Sequence, residues 1–136
     1  MRLILVPLVA AALGAGAVAA ASSSSRADRA AAESAAFDKE VKGLTPGKPQ
    51  DCIDTRFQQS SLKAIGSKLI YRVSPKLVYV NQTTGGCEAV ARGDALITRQ
   101  YSTQVCRGDI ARTRDMTAHI ETGSCSLGSF TPYRAQ

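Results

Sequence analysis

"SLKAIGSKLIYRVSPKLVYVNQTTGGC", Ser61 to Cys87, is the stretch that decides how the chain folds. Its apolar residues follow a period of two. Leu69, Tyr71 and Val73 alternate with Ile70 and Arg72, then Val78 and Val80 alternate with Leu77 and Tyr79. A period of two is the signature of a strand, where successive side chains point to opposite faces. Gly66-Ser67 divides the first half into a hairpin, because glycine supplies the backbone a tight turn needs. Ser74-Pro75 makes the next turn, and "TTGG" closes the strand that follows.

The same texture extends outward in both directions. "CIDTRFQ" before this stretch, and "DALITRQ", "DIARTRD", "AHIET" and "CSLGSF" after it, are short runs separated by turn residues. No helix pattern lies between them, so consecutive strands pair as an antiparallel meander. The expected fold is all-β, a small meander closing into a barrel or folding into a sandwich over residues 51–134. Tyr71, Tyr79, Tyr101, Phe130 and Tyr133 are expected to fill the core and its ends.

Residues 1–50 differ. Arg2 is followed by an uncharged, apolar run from Leu3 to Val18, then by small residues with Ala17-Val18-Ala19 in a small-x-small pattern. This predicts a secretory signal peptide over residues 1–21. Residues 22–50 form an Ala/Ser-rich arm, helical in part between Arg26 and Lys42. Its apolar stripe of Phe37, Val41 and Leu44 is thin, and "TPGKP" stops any helix. Its expected role is that of a spacer.

Cys52, Cys87, Cys106 and Cys125 all fall after the leader. An even number in an exported chain predicts two disulfides, and a body of roughly 85 residues needs such staples. No C-x-x-C pair occurs, which argues against zinc. If first and last strands meet in a closing barrel, Cys52 pairs with Cys125 and Cys87 with Cys106. The alternative is sequential, Cys52 with Cys87 and Cys106 with Cys125.

Net charge is +6, one unit of it from Arg2. The basic residues of interest are Arg99, Arg112 and Arg114. Arg112 and Arg114 share a strand face, and Arg99 shares one with Ala95 and Ile97. If those strands pair, the three arginines meet, with Arg92 and Arg107 at the rim. Such a face suits phosphate or carboxylate groups of an anionic envelope polymer, lipid headgroups or an acidic envelope protein. Nucleic acid is not an expected partner, because the chain is exported and has no basic-aromatic cluster.

Arg92 and Arg107 each open an Arg-Gly-Asp tripeptide. Roughly 0.05 copies are expected by chance in a chain of this composition. Both precede an apolar β run, so they read as turns leading into strands, with Gly taking a positive φ and Asp bonding nearby backbone.

Catalytic patterns are weak. His119 with Ser124 or Ser126 and Asp109 or Asp115 would make a triad, but "GSCSLG" lacks nucleophile-elbow spacing. Met116 and His119 are too few for a copper site, and no metal or cofactor is expected. The carboxylates show no pairing that predicts glycoside hydrolysis.

"VCRGDIARTRD", "GSCSLGSFTPYR", "GKPQDCID" and "LIYRVSPKLVYVNQTTGGC" resemble a family of small exported Gram-negative bacterial proteins, a domain of unknown function. The resemblance covers roughly residues 47 to 134. Its most specific elements are the Cys-x-Leu-Gly-x-Phe-x-Pro-Tyr ending, Cys125 to Tyr133, and the step from Cys106 to Asp109. It implies export to the periplasm or cell envelope, the four-cysteine framework and a single β-rich domain. It implies no activity. The expected function is therefore a non-catalytic exported β-domain that binds through its Arg-bearing face. The alternatives are a small exported hydrolase using His119, or a protease or lysozyme inhibitor, whose basic charge would be mismatched to basic lysozymes.

Overall fold

The computed structural model describes residues 16–54, 61–100 and 102–136, with side chains from Ser25 onward. The expected leader lies outside the described residues as far as residue 15, as do Tyr101 and residues 55–58 of the "CIDTRFQ" strand. The chain divides into two compact units, Met1–Ala32 and Glu33–Gln136. The described part of the first is helical, the beginning of helix α1 (Gly16–Glu40). From Ala17 to Lys42 the sequence contains neither Gly nor Pro and is rich in Ala, so nothing interrupts the helix. It runs longer than the partial helix expected for the arm. Gly43, with φ 76°, follows its last turn.

Among the described residues the second unit carries ten strands: β1 (Thr45–Pro46), β2 (Cys52–Asp54), β3 (Ser61–Ile65), β4 (Lys68–Ser74), β5 (Leu77–Gln82), β6 (Ala95–Thr98), β7 (Gln104–Cys106), β8 (Ile110–Asp115), β9 (Ile120–Ser126) and β10 (Phe130–Arg134). A 3-10 helix spans Glu88–Arg92. All pairings are antiparallel. The hairpins expected at Gly66-Ser67 and Ser74-Pro75 are present, joining β3 to β4 and β4 to β5.

The meander does not continue. Three sheets form, ordered β1-β10-β5-β4-β3, β2-β7 and β6-β8-β9, and among the described residues none closes into a barrel. The chain's last strand, β10, returns to lie beside β5, with Phe130 opposite Asn81 and Arg134 opposite Leu77. The two-residue β1 covers its other side. Such a short edge strand carrying Pro46 offers no further pairing. After Gln50 exchanges backbone bonds with Phe130, at 2.9 and 2.8 Å, the chain leaves this sheet. β2 then pairs with β7 instead.

The five-stranded sheet is covered on both faces. On one side Leu69, Tyr71 and Tyr79 join Ile53, Val105, Ala111, Leu127 and Phe130 in the main core. Tyr71 and Phe130 meet as tilted rings, with centroids 5.9 Å apart. On the other side Ile70, Val78 and Val80 pack against Phe37, Val41 and Leu44. The thin stripe of the arm is thus the cover for the sheet's second face. It is this double burial that makes "LIY" and "VYV" continuous apolar runs. Phe37 meets Tyr133 edge-on at 5.9 Å, and the Lys68 ammonium lies 5.4 Å from its ring centroid. Glu40 fixes the helix end by accepting from Lys63 Nζ at 2.6 Å and Arg72 Nη2 at 2.8 Å. These two bonds hold its carboxyl below the ordinary glutamate range.

The disulfides are Cys52–Cys106 and Cys87–Cys125, so both expected pairings are overturned. The expectation rested on a barrel joining the strands of Cys52 and Cys125. Here β10 closes on β1, upstream of Cys52, and frees β2 to pair with β7. Cys52 then stands directly opposite Cys106, with Cα atoms 4.0 Å apart. Arg107 N donates to Asp51 O at 2.6 Å, so Cys52 and Cys106 occupy the closely spaced, non-hydrogen-bonded position of an antiparallel pair. Cys87 reaches Cys125 because the backbones beside them touch. A Cβ on Gly86 would strike the Ser124 carbonyl, and one on Gly123 would strike the Gly86 carbonyl. Two such bridges suit an oxidising, non-cytoplasmic environment. Among the described residues, no helix is long and apolar enough to cross a membrane.

Candidate functional site

The β6-β8-β9 sheet has one covered face and one open face. Ala111 and Thr113 of β8 are buried, while Ile110 and Arg112 between and beside them are exposed. This is the alternation expected of a sheet packed on one side only. The strands pair as the sequence suggested, with Ala95 opposite Arg114 and Ile97 opposite Arg112. The outward face therefore carries Ile97 and Arg99 from β6 and its C-terminal extension, and Ile110, Arg112 and Arg114 from β8. With Glu121 of β9 they line a concavity of about 540 Å³.

Beneath this face a polar contact ties the strands together. The Thr122 hydroxyl donates to Asp94 Oδ2 and lies 3.0 Å from the Thr113 hydroxyl. Thr122 has one proton, so Thr113 donates to it. Thr113 is fully buried, and the relay satisfies it without water.

The three arginines differ in their partners. Arg112 Nη1 donates to Glu121 Oε1 at 2.9 Å, a pair more than half exposed on both sides. Arg114 Nη2 donates to the His119 carbonyl at 3.1 Å, while its Nε is buried with no partner among the described residues. Arg99 has no ion pair among the described residues. Three cations share the concavity with two carboxylates, Glu121 and Asp109. The Oδ2 atom of Asp109 accepts from Cys106 N at 2.8 Å, which fixes its position and leaves its charge in place.

Arg92 and Arg107 are placed differently. Arg92 ends the 3-10 helix and is close enough to Asp115 to help lower its pKa. Arg107 turns toward Asp51, Nε to Oδ1 at 3.7 Å. Neither lines the concavity. Their Arg-Gly-Asp tripeptides are turns, as expected. Gly93 and Gly108 have φ of 100° and 91°, which an L side chain rarely adopts. Each Asp directly precedes a strand, Asp94 before β6 and Asp109 before β8. Both carboxylates are held by the protein's own donors, Thr122 in one case and Cys106 N in the other.

His119 lies exposed in the β8–β9 turn with φ 58°. The candidate orienter closest in sequence, Asp115, spends Oδ1 on the amides of Thr117 and Ala118, at 2.7 and 2.9 Å. Those amides, with Arg92 adding a smaller part, hold the Asp115 carboxyl below its ordinary range. It is a turn-forming residue. Among the described residues, no three His, Cys, Asp or Glu side chains gather as a metal site would need.

Sequence reasoning identified the arginines but left out two parts of the face. Ile110 stands two residues before Arg112, and Glu121 faces Arg114 across the β8–β9 hairpin. The period of two held the first signal. The second needed the register across the turn, which is shifted by an irregularity between Thr113 and Arg114. Comparison of the chain with protein-family models, curated proteins and solved structures returns no match.

Proposed function

We propose that the chain is an exported, non-catalytic binding module that takes anionic groups of a cell-envelope component on its Arg99–Arg112–Arg114 face. The observation that carries this reading is the excess of cation in one concavity, three guanidinium groups against the two carboxylates of Asp109 and Glu121. Guanidinium groups suit phosphate and carboxylate because their donors form a planar fork. Export rests on the two disulfides and on the leader-like sequence before Ser22. The periplasm or envelope of a Gram-negative bacterium is the compartment we infer from the resemblance of residues 47 to 134.

The test is retention on anionic envelope material at low salt, with isolated cell-wall polymer and phosphatidylglycerol vesicles as the two matrices. Changing Arg99, Arg112 and Arg114 together to Ala abolishes retention, and added salt weakens it in the parent. Absence of retention on either matrix at any ionic strength overturns the reading.

A further inference from the structure

The open face is not simply basic. Among the described residues, the large hydrophobic side chains most exposed to solvent are Ile97, Ile110, Met116 and Ile120, at 42, 54, 58 and 58 %. All four belong to the β6-β8-β9 sheet or its hairpin turn. Ile97 and Ile110 alternate with Arg99 and Arg112 on the outward face. Met116 and Ile120 sit at the turn, where Arg114 bonds the His119 carbonyl. Scattered exposed isoleucines need no explanation, but a cluster on one small sheet does. The other described residues bury such side chains better, down to both faces of the five-stranded sheet.

We propose that this face docks on the surface of an anionic lipid bilayer, Ile97 and Ile110 entering the headgroup boundary while the arginines hold lipid phosphates. The inference rests on the binding reading above and names its ligand class. Charge complementarity selects the occupant. A second copy of the chain would bring three more arginines against these three, so the face repels itself. A soluble anionic polymer would answer the arginines and leave the isoleucines in water. An anionic bilayer answers both, through apolar burial and attraction to acidic headgroups. Glu121 is then a brake, since it faces the same surface with the wrong sign.

The sequence contains no tryptophan, which makes a local reporter available. In the full chain, Ile110→Trp supplies one fluorophore on the face, and Gln82→Trp supplies one at an exposed position on the five-stranded sheet. With vesicles of phosphatidylcholine and phosphatidylglycerol, emission of the Ile110→Trp chain shifts to the blue and is quenched by brominated acyl chains. Emission of the Gln82→Trp chain does not shift. The local readout separates this face from any membrane affinity of the apolar N-terminus. In the Ile110→Trp background, each Arg→Ala change weakens vesicle binding about fivefold. Ile97→Ser weakens it about tenfold. Glu121→Gln strengthens it, with the unfolding midpoint of the variant measured alongside to show that it is folded.

Three outcomes overturn the proposal. If soluble cell-wall polymer shifts the Ile110→Trp emission and vesicles do not, the anionic binding reading stands and the lipid inference fails. If neither does, both fail. If the shift follows protein concentration without lipid, the face joins copies of this chain.

Discussion

Two antiparallel sheets in this molecule were given different duties. In the five-stranded sheet, consecutive residues of β4 and β5 are buried regardless of the direction in which they point, because the main core takes one face and helix α1 the other. In the β6-β8-β9 sheet only one face is covered. Ala111 and Thr113 turn inward, and Ile110 and Arg112 face water. A sheet buried on both sides has no surface left with which to meet a ligand. The three-stranded sheet retains one, and it is furnished with side chains that folding does not use. Stability and binding are therefore expected to separate by sheet.

The largest effect is predicted inside the covered sheet. Phe130, the first residue of β10, is fully buried against Tyr71. Phe130→Ala is expected to cost about 3–5 kcal/mol, through lost transfer energy and the cavity left behind. Chemical denaturation reads it directly. A loss below about 1 kcal/mol would mean that this cluster is not the organising core.

The next effect asks whether the helix is a true cover. Phe37 is half-buried against Tyr133 and the outer residues of β4 and β5. Phe37→Ala should cost about 1–3 kcal/mol, less than Phe130 because less surface is removed from water. An idle spacer would show no change in the unfolding midpoint. In that case the contrast between the two sheets collapses, since both would have an open face.

A third, smaller effect has a pH signature. Glu40 accepts from Lys63 and Arg72, and these bonds lower its folded-state pKa below the unfolded value. Its contribution is therefore fully present above the ordinary glutamate range. It is lost as pH falls through the lowered folded value. Glu40→Gln is expected to cost about 1 kcal/mol near neutrality. The gap between parent and variant should narrow as the solution is acidified below that range. A gap that widens on acidification would refute the assigned role.

The same contrast explains what could be read in the sequence. The β3–β4–β5 run was legible because its signals are local, an alternating pattern and turn residues at Gly66 and Ser74-Pro75. The Arg-Gly-Asp turns were legible for the same reason. Their glycines need a positive φ whatever the rest of the fold does. What failed was non-local. Phe37, Val41 and Leu44 offer a narrow stripe whose value depends on Ile70, Val78 and Val80 lacking another cover. The cysteine pairing depended on which strand closes the sheet, and the two-residue β1 carries almost no pattern of its own. Once β1 took that place, Cys52 was carried to Cys106. The arginine face fell between these extremes. Strand alternation put Arg112 and Arg114 together, but Arg99 joined them only through the β6–β8 pairing.

The smallest effect on stability is expected where the effect on binding is large. Ile97 and Ile110 project from the open face and contribute little to the core. Changing both to Ser should move the unfolding free energy by no more than about 0.5 kcal/mol in either direction. Exposed β positions favour branched side chains only modestly, and serine removes an apolar surface that already meets water. The same double variant should lose most of its affinity for anionic vesicles. Measuring both quantities on one preparation is the sharpest form of the comparison. Destabilisation on the scale of Phe37→Ala would show that the isoleucines are packed from the outside by some part of this chain, and the face would not be open. Unchanged stability with unchanged vesicle binding would leave the face open but deny the isoleucines a part in docking. Only unchanged stability with lost binding assigns them to a partner, because then the single thing the substitution removes is an apolar surface that the folded chain itself does not need.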